Sequence, residues 1–140
     1  MGTDARFDSS VEATRAWHGF KWESLASMLA IGLQESGPEV VGAQGFGRGR
    51  GLYCCNDDYV SMAAGYCNTV PGSNGLYFSC MWELAVDRAR CISARRKGQW
   101  LQPLSTYCRR ALWIRVVNFK DVTNGEGIQA IWEPVFEHPV

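Results

Sequence analysis

The sequence predicts a small α+β protein that folds as a single domain. Its 140 residues are 46% hydrophobic and 12% aromatic, which is the composition of a globular chain and not of a disordered one. Leu76 to Val86 alternates with the period of two that a strand requires, and two other segments space their apolar residues as helices do. Nothing repeats at a fixed period, so we expect one hydrophobic core.

The first part of the chain predicts a strand, a turn and a helix. The strand runs from Thr14 and ends at His18-Gly19, and the helix continues as far as Gly32. The apolar residues of this helix recur at helical spacing: Trp22, Leu25, Ala26, Met28 and Leu29. Residues 1–13 are expected to form a poorly ordered N-terminal segment.

A glycine-rich loop comes next. After Gly37-Pro38, glycine recurs at positions 42, 45, 47, 49 and 51. Such a loop is either a mobile surface connection or a lid whose backbone approaches a ligand closely. The residues leave both interpretations open.

A second helix is predicted from Asp57 or Asp58 to about Tyr66, with Asn56 or Asp57 as its N-cap. One face of this helix collects its larger apolar residues, so Tyr66 is expected to point inward. The residues of that face are Tyr59, Met62, Ala63 and Tyr66.

Three later segments predict strands. Leu76 to Val86 is the clearest of them, and Leu112 to Phe119 and Gly127 to Trp132 are apolar, β-branched or aromatic. The turn-forming pair Asn124-Gly125 separates the last two, which predicts an antiparallel hairpin. Four tryptophans are expected in the core: Trp82, Trp100, Trp113 and Trp132.

The charge balance bears on the possible partners. Fourteen basic and fourteen acidic residues cancel, so the chain as a whole does not attract a polyanion. A local basic group near Trp100 is the candidate for contact with nucleic acid, and the alternative is a solvated, partly acid-paired surface. The group comprises Arg88, Arg90, Arg95, Arg96 and Lys97, followed by Arg109 and Arg110.

Cysteine and histidine usage predicts no metal site. The six cysteines include the neighbours Cys54 and Cys55, which point to opposite faces if they lie in a strand. No C-x-x-C pair accompanies a second ligand cluster, and the sequence has only two histidines. The N-terminus lacks the apolar stretch of a secretory signal, so a cytoplasmic or nuclear protein with reduced thiols and no membrane contact is expected.

Three motifs appear in the order in which the poly(ADP-ribose) polymerase family presents them. They are His18-Gly19, then Gly49-Arg50-Gly51-Leu52-Tyr53, then Tyr66-Cys67 at the end of a helix. From about Trp17 to Trp132 the chain therefore resembles the catalytic domain of these ADP-ribosyltransferases. The resemblance implies a mixed β-sheet core with two or more short helices around a pocket for NAD.

The resemblance also implies the roles of individual residues. His18, Tyr53 and a glutamate would form the catalytic triad, with Glu126 as the first choice, Gln129 at the site after a register shift, and Glu133 as a weaker candidate. His18, Gly19, Tyr53 and Tyr66 would bind NAD, Tyr66 by stacking on the nicotinamide ring. The nicotinamide-contacting serine of the family would be Ser61, or would be absent with Ala63 in its place. Phe20 departs from the small hydroxyl residue usual after His-Gly.

These roles lead to an expected function. Cleavage of the bond between ribose and nicotinamide develops positive charge on the sugar, which a carboxylate stabilises while aromatic rings hold the leaving group. The resemblance implies an NAD-dependent ADP-ribosyltransferase, a glycosyl-transferring enzyme acting on a protein or nucleic-acid acceptor. The alternatives are a catalytically inactive domain that binds a partner or an ADP-ribose-like ligand, and a small nucleic-acid-binding module using the Arg88 to Lys97 region.

Overall fold

The computed structural model describes residues 13–33, 52–72, 75–94, 96–102, 107–118 and 132–137. Its strands are β1 Ala13–Gly19, β2 Leu52–Asn56, β3 Val70–Pro71, β4 Leu76–Asp87, β5 Ile92–Ser93, β6 Gln99–Gln102, β7 Tyr107–Asn118 and β8 Trp132–Glu137. Its helices are α1 Leu25–Ile31 and α2 Val60–Gly65, with short 3-10 turns at Trp22–Ser24, Asp57–Tyr59 and Arg88–Arg90.

The described strands form one sheet in the order β5-β6-β2-β1-β4-β7-β8, with β3 paired to β4 beside this path. Every recorded pair of strands is antiparallel. The α+β class predicted from the sequence is therefore confirmed. The prediction of a mixed sheet was wrong for the described strands, because each of them runs antiparallel to its neighbours.

Each helix covers a different face of the sheet. Because side chains alternate along a strand, the two faces contain separate hydrophobic clusters. On the α1 face, helix α1 covers a cluster that includes Leu52, Cys54 and Trp82. On the α2 face, helix α2 covers a smaller cluster that includes Trp17, Cys55 and Met81. Cys54 and Cys55 do point to opposite faces, as predicted.

The two predicted helices are confirmed, with small shifts at their ends. Helix α1 ends where Gly32 takes a φ of 85°, a left-handed conformation that glycine adopts easily. The turn that leads into α2 is capped by Asn56, whose side chain accepts a hydrogen bond from the backbone N–H of Asp58 at 3.0 Å. Of the expected apolar face of α1, only Ala26 is exposed.

Strand β4 is an interior strand of the sheet that pairs with β1 on one side and with β7 on the other. Its alternation is confirmed: Cys80, Trp82 and Leu84 belong to the cluster on the α1 face, and Met81 belongs to the one on the α2 face. β4 pairs with β7 over almost its whole length, with a bulge between Glu83 and Leu84. The bulge leaves one extra residue in β7 and locally increases the twist.

The first strand of the predicted antiparallel hairpin is confirmed as part of β7. β7 pairs with β8, but the second strand occupies Trp132–Glu137. Of the expected strand Gly127 to Trp132, only Trp132 is described, and the Asn124-Gly125 turn also lies outside the described residues. The glycine-rich loop and residues 1–12 lie outside them as well, whereas Ala13 begins β1. Neither α1 nor α2 is long and apolar enough to cross a membrane.

Candidate functional site

The sheet opens between β1 and β2. β1 pairs with β4 along all of Ala13–Gly19, but it pairs with β2 only through Ala16 and Trp17. β2 continues towards Leu52 along its other neighbour, β6. Past Trp17 the two strands therefore stop pairing with each other, and we call the opening between His18-Gly19 and Leu52-Tyr53 the β1–β2 gap.

His18 bridges this gap. Its Nδ1 lies 2.7 Å from the backbone carbonyl oxygen of Tyr53. A carbonyl oxygen only accepts hydrogen bonds, so Nδ1 carries the proton and donates it. Burial lowers the pKa of His18, and the hydrogen bond to Tyr53 opposes this effect only in part. The imidazole is thus neutral at pH 7, and its Nε2 has a free lone pair that can accept a hydrogen bond.

Gly19 lets the end of α2 lie directly on β1. A Cβ atom at Gly19 would stand 1.8 Å from the carbonyl oxygen of Ala63 and 3.1 Å from the Cβ of Tyr66. No other residue type fits there without moving the helix. The absence of a side chain at Gly19 therefore places Tyr66, the C-cap of α2, beside the gap.

A side chain of strand β6 holds Tyr66 in place. The side-chain amide of Gln99 donates from Nε2 to the Tyr66 hydroxyl at 3.3 Å. Gln99 is itself buried and pairs with Cys55 in the ladder between β2 and β6. The Tyr66 ring is thus fixed relative to the sheet, and the guanidinium of Arg96 lies 5.9 Å from its centroid.

The two faces of the sheet contribute different side chains to the gap. Tyr53 alternates with Leu52 and Cys54, which lie in the cluster on the α1 face, so its side chain is on the α2 face with Tyr66. The His18 ring lies on the other face, 6.5 Å from the Phe20 ring. Sequence reasoning put His18 and Tyr53 in one pocket. The structure joins them through a backbone carbonyl and directs their side chains to opposite faces.

Phe20 lies beside His18 on the α1 face, whereas Ser61 lies away from the gap. Phe20 is buried in the cluster on the α1 face, with its ring 6.3 Å from that of Trp82. Ser61 is exposed on α2, and it is the carbonyl of Ala63 that meets Gly19. Successive helical residues turn by about 100°, so Ser61 and Ala63 leave α2 on different sides.

The candidates for the third catalytic position are not brought to the gap within the described residues. Glu126 and Gln129 lie outside those residues. Glu133 is in β8, where it pairs with Ile114 of β7. Since β4 and β7 stand between β1 and β8, the backbone of Glu133 is roughly 14 Å from β1 at the usual strand spacing.

Sequence reasoning missed Glu83, a buried carboxylate on the α2 face. Trp113 donates from Nε1 to one carboxylate oxygen of Glu83 at 3.2 Å, and Nε of Arg110 lies 3.7 Å from the other. Glu83 also pairs with Trp17 across β1 and β4. The sequence does contain a signal for Glu83, because it is an acidic residue in the middle of the predicted strand Leu76 to Val86. A charge buried in a strand needs polar partners, which marks the position as unusual.

A second cluster of polar side chains lies where the 3-10 turn before α2 meets β1. Arg15 contacts both carboxylate oxygens of Asp57, at 2.8 and 2.7 Å, and Nε1 of Trp17 donates to the same carboxylate at 2.9 Å. These contacts lower the pKa of Asp57, with the hydrogen bond from Arg15 as the main cause. The group fixes the 3-10 turn Asp57–Tyr59 against β1.

Five of the described cysteines are poor nucleophiles at neutral pH. Burial raises the thiol pKa of Cys55, Cys67 and Cys91 to about 11 and that of Cys80 to about 12. Burial also raises the pKa of Cys54 well above its ordinary value. The thiolate is the reactive form, so these side chains are unreactive at neutral pH. Among the described residues, no three His, Cys, Asp or Glu side chains are grouped closely enough to hold a metal ion.

The expected basic surface is divided between the two faces. Arg88 lies over Trp100 of the α1-face cluster at 4.4 Å, whereas Arg96 lies over Tyr66 on the α2 face. Arg109 is buried and donates to the carbonyl of Met28 at 2.6 Å. Arg95 lies outside the described residues. Three cations of the predicted group, Arg88, Arg96 and Arg109, thus occupy different surroundings.

The chain was compared with known proteins by sequence and by structure. The sequence matches no family model and no curated protein, and the structure matches no solved structure. Inference about function therefore starts from the residues around the β1–β2 gap.

Proposed function

We propose that the chain is an NAD-dependent ADP-ribosyltransferase that binds the nicotinamide end of NAD at the β1–β2 gap. The observation that carries this proposal is the hydrogen bond from His18 to the Tyr53 carbonyl across the gap, beside a glycine that brings Tyr66 against β1. An antiparallel sheet that stops pairing in its interior offers strand edges to a ligand.

Tyr53 and Tyr66 supply aromatic surface on the α2 face of the gap. Aromatic rings stack on planar ligands in offset arrangements, and the nicotinamide ring is planar. The pairing with β4 uses one edge of β1, so beyond Trp17 its other edge faces the gap. Backbone groups on that edge are suited to hydrogen-bond the carboxamide of nicotinamide.

His18 is proposed as a positioning residue. Its neutral Nε2 accepts a hydrogen bond from a ribose hydroxyl, while the donor bond from Nδ1 to Tyr53 fixes the tautomer and the ring plane. No proton transfer by His18 is needed. Misplacing a substrate by about 1 Å can lower the rate about a hundredfold. Positioning the ribose would therefore be enough to make His18 important for activity.

The reaction itself is a substitution at C1 of the ribose. The C–N bond to nicotinamide breaks and its electron pair leaves with nicotinamide, while a nucleophilic atom of the acceptor forms the new bond and loses its proton. Positive charge develops on the sugar, and a carboxylate at the third position stabilises it. Glu126 is proposed for that position. A neutral amide at Gln129 would supply less stabilisation and would favour single transfer or none.

A second candidate is a catalytically inactive domain that binds NAD or an ADP-ribose-like ligand. It is favoured by the opposite directions of the His18 and Tyr53 side chains. A pocket that needs both on one side of the ligand would not form with this arrangement. A ligand that passes through the gap would still contact both.

The test is incubation of the purified protein with labelled NAD, following nicotinamide release and label transferred to protein or nucleic acid. We expect turnover in the wild type, loss of turnover in Glu126→Ala, and retention of turnover in Glu133→Ala, which is the matched control on β8. Loss in Gln129→Ala instead would assign the third position to Gln129.

The other outcomes separate the alternatives. An absence of turnover combined with a higher melting temperature in the presence of NAD would identify the inactive binding domain. Salt-sensitive binding of nucleic acid without any effect of NAD would favour the nucleic-acid module. If NAD is neither turned over nor bound, the proposal is wrong.

A further inference from the structure

Among its described residues, the loop between β5 and β6 carries two exposed cations near Tyr66, at the Asn56 end of β2. It contains Arg96 and Lys97 and ends at Gly98, which has a φ of 80°. The carbonyl of Gly98 accepts a hydrogen bond from the backbone N–H of Asn56 at 2.9 Å. This bond ties the loop to the end of β2.

The same loop is also tied to α2. A Cβ atom at Gly98 would lie 2.3 Å from the ring of Tyr59, so the loop backbone packs directly on that ring. The next residue, Gln99, donates to the Tyr66 hydroxyl. These anchors place the backbone that follows Arg96 close to α2 and to Tyr66.

Within the described part of the chain, no carboxylate is recorded beside Arg96, in contrast to Arg15 and Arg110. Arg15 is paired with Asp57, and Arg110 lies beside Glu83. The recorded contact of Arg96 within the described part of the chain is with the Tyr66 ring, at 5.9 Å from its centroid. An exposed guanidinium at this distance forms only a weak cation–π contact, so its donors are available to an anion.

We propose that Arg96 binds a phosphate group of the ligand whose planar ring stacks on Tyr66. A guanidinium presents two parallel N–H donors that match a phosphate. The residues that follow Arg96 are anchored to β2 and to α2, so Arg96 lies near the ring of Tyr66. In this position its guanidinium can meet a phosphate that is joined through one sugar to the ring stacked on Tyr66. Identification of that phosphate as part of the NAD pyrophosphate depends on the proposed function; the anion site itself does not.

The experiment compares three probes in the wild type and two variants. The probes are nicotinamide, nicotinamide mononucleotide and inorganic pyrophosphate, and dissociation constants are measured by calorimetry. Arg96→Ala is the test variant, and Lys97→Ala is the matched control, because it removes an adjacent exposed cation from the same loop. Arg96 is exposed, so both variants are expected to fold, which circular dichroism and the melting temperature check.

We expect Arg96→Ala to weaken binding of the mononucleotide and of pyrophosphate about tenfold or more, the usual effect of losing a charged hydrogen-bond partner. Binding of nicotinamide should be unchanged, and Lys97→Ala should change each constant less than about threefold. Equal binding of the mononucleotide by wild type and Arg96→Ala would overturn the proposal, as would a wild type that binds neither phosphate probe.

The same experiment distinguishes the inference from the proposed function. If the wild type binds pyrophosphate through Arg96 but binds neither nicotinamide nor the mononucleotide, the anion site stands and the NAD site fails. If nicotinamide binds the wild type and Arg96→Ala changes neither phosphate probe, the nicotinamide site stands and the anion site fails.

Discussion

At the scale of single residues, Gly19 is the position where the packing leaves no room for a side chain. Gly19→Ala would push a methyl group into the Ala63 carbonyl, 1.8 Å away. Either α2 moves away from β1 or the protein loses stability, and over-packing of this kind costs about 1–3 kcal/mol. We expect a lower free energy of unfolding in urea and weaker binding at the gap.

Gly65 provides the control for that substitution. It closes α2 only one residue before Tyr66, and a Cβ there would meet nothing within 4 Å. Gly65→Ala is expected to leave stability unchanged or to raise it by about 0.5–1 kcal/mol through reduced freedom of the unfolded chain. If both variants lose the same stability, the close contact at Gly19 is not the cause.

His18 makes stability depend on pH. Since burial lowers its pKa in the folded state, the unfolded chain binds more protons just below the ordinary histidine pKa of about 6.5. The free energy of unfolding must then fall as the pH is lowered from 7.5 through 6.5 towards the folded-state pKa. Denaturant titrations at successive pH values measure this fall, and His18→Gln should reduce its slope. A parallel slope in the variant would contradict the assignment.

The candidate site residues were named from the order of their motifs, and the structure supplies the packing reason for one of them, Gly19. The order of His18-Gly19, Tyr53 and Tyr66 identified residues that the fold brings close together, and the need for glycine at position 19 follows from close packing. The direction of each side chain could not be predicted. It depends on strand register, and a shift of one residue reverses the face.

At the scale of elements, the bulge in the β4–β7 ladder accommodates a buried charge. Glu83 accepts the Trp113 N–H on one oxygen and faces Arg110 with the other. Glu83→Gln keeps an acceptor for Trp113 and is expected to cost about 1 kcal/mol or less, whereas Glu83→Ala leaves Trp113 without its acceptor and opens a space, costing about 1–3 kcal/mol. Chemical denaturation of both variants checks the difference.

The opposite order of stability, with Glu83→Gln the more damaging change, would mean that the charge itself and not the acceptor matters. Arg110→Met separates the two contacts. Because Arg110 is exposed and its nearest carboxylate oxygen is 3.7 Å away, we expect its loss to cost less than about 1 kcal/mol.

Elements with a clear apolar period were predictable, and those with buried polar residues were not. β6 consists of Gln99, Trp100, Leu101 and Gln102, and both glutamines are buried, although glutamine is usually exposed. The first half of β7 contains Arg109, which is buried because it donates to the Met28 carbonyl of α1. The burial of these polar side chains depends on contacts with other elements of the fold. The periodicity of the sequence does not reveal such contacts.

At the scale of the whole molecule, β4 joins the two halves of the sheet. Leu84 is fully buried there, whereas Leu76, at the start of the same strand, is 43% exposed. Leu84→Ala should lower the free energy of unfolding by about 2–5 kcal/mol, and Leu76→Ala should change it by about 0.5 kcal/mol or less. Equal losses in urea titrations would contradict a core centred on β4.

The order of strands in the sheet has a kinetic consequence. β1 pairs with β4 and β2 pairs with β6, so each early strand must wait for a partner that is synthesised dozens of residues later. Closing such long loops costs entropy before any pairing repays it, and proteins with distant pairings fold in milliseconds to seconds. During translation β1 and β2 therefore stay without their main partners until β4 and β6 have left the ribosome.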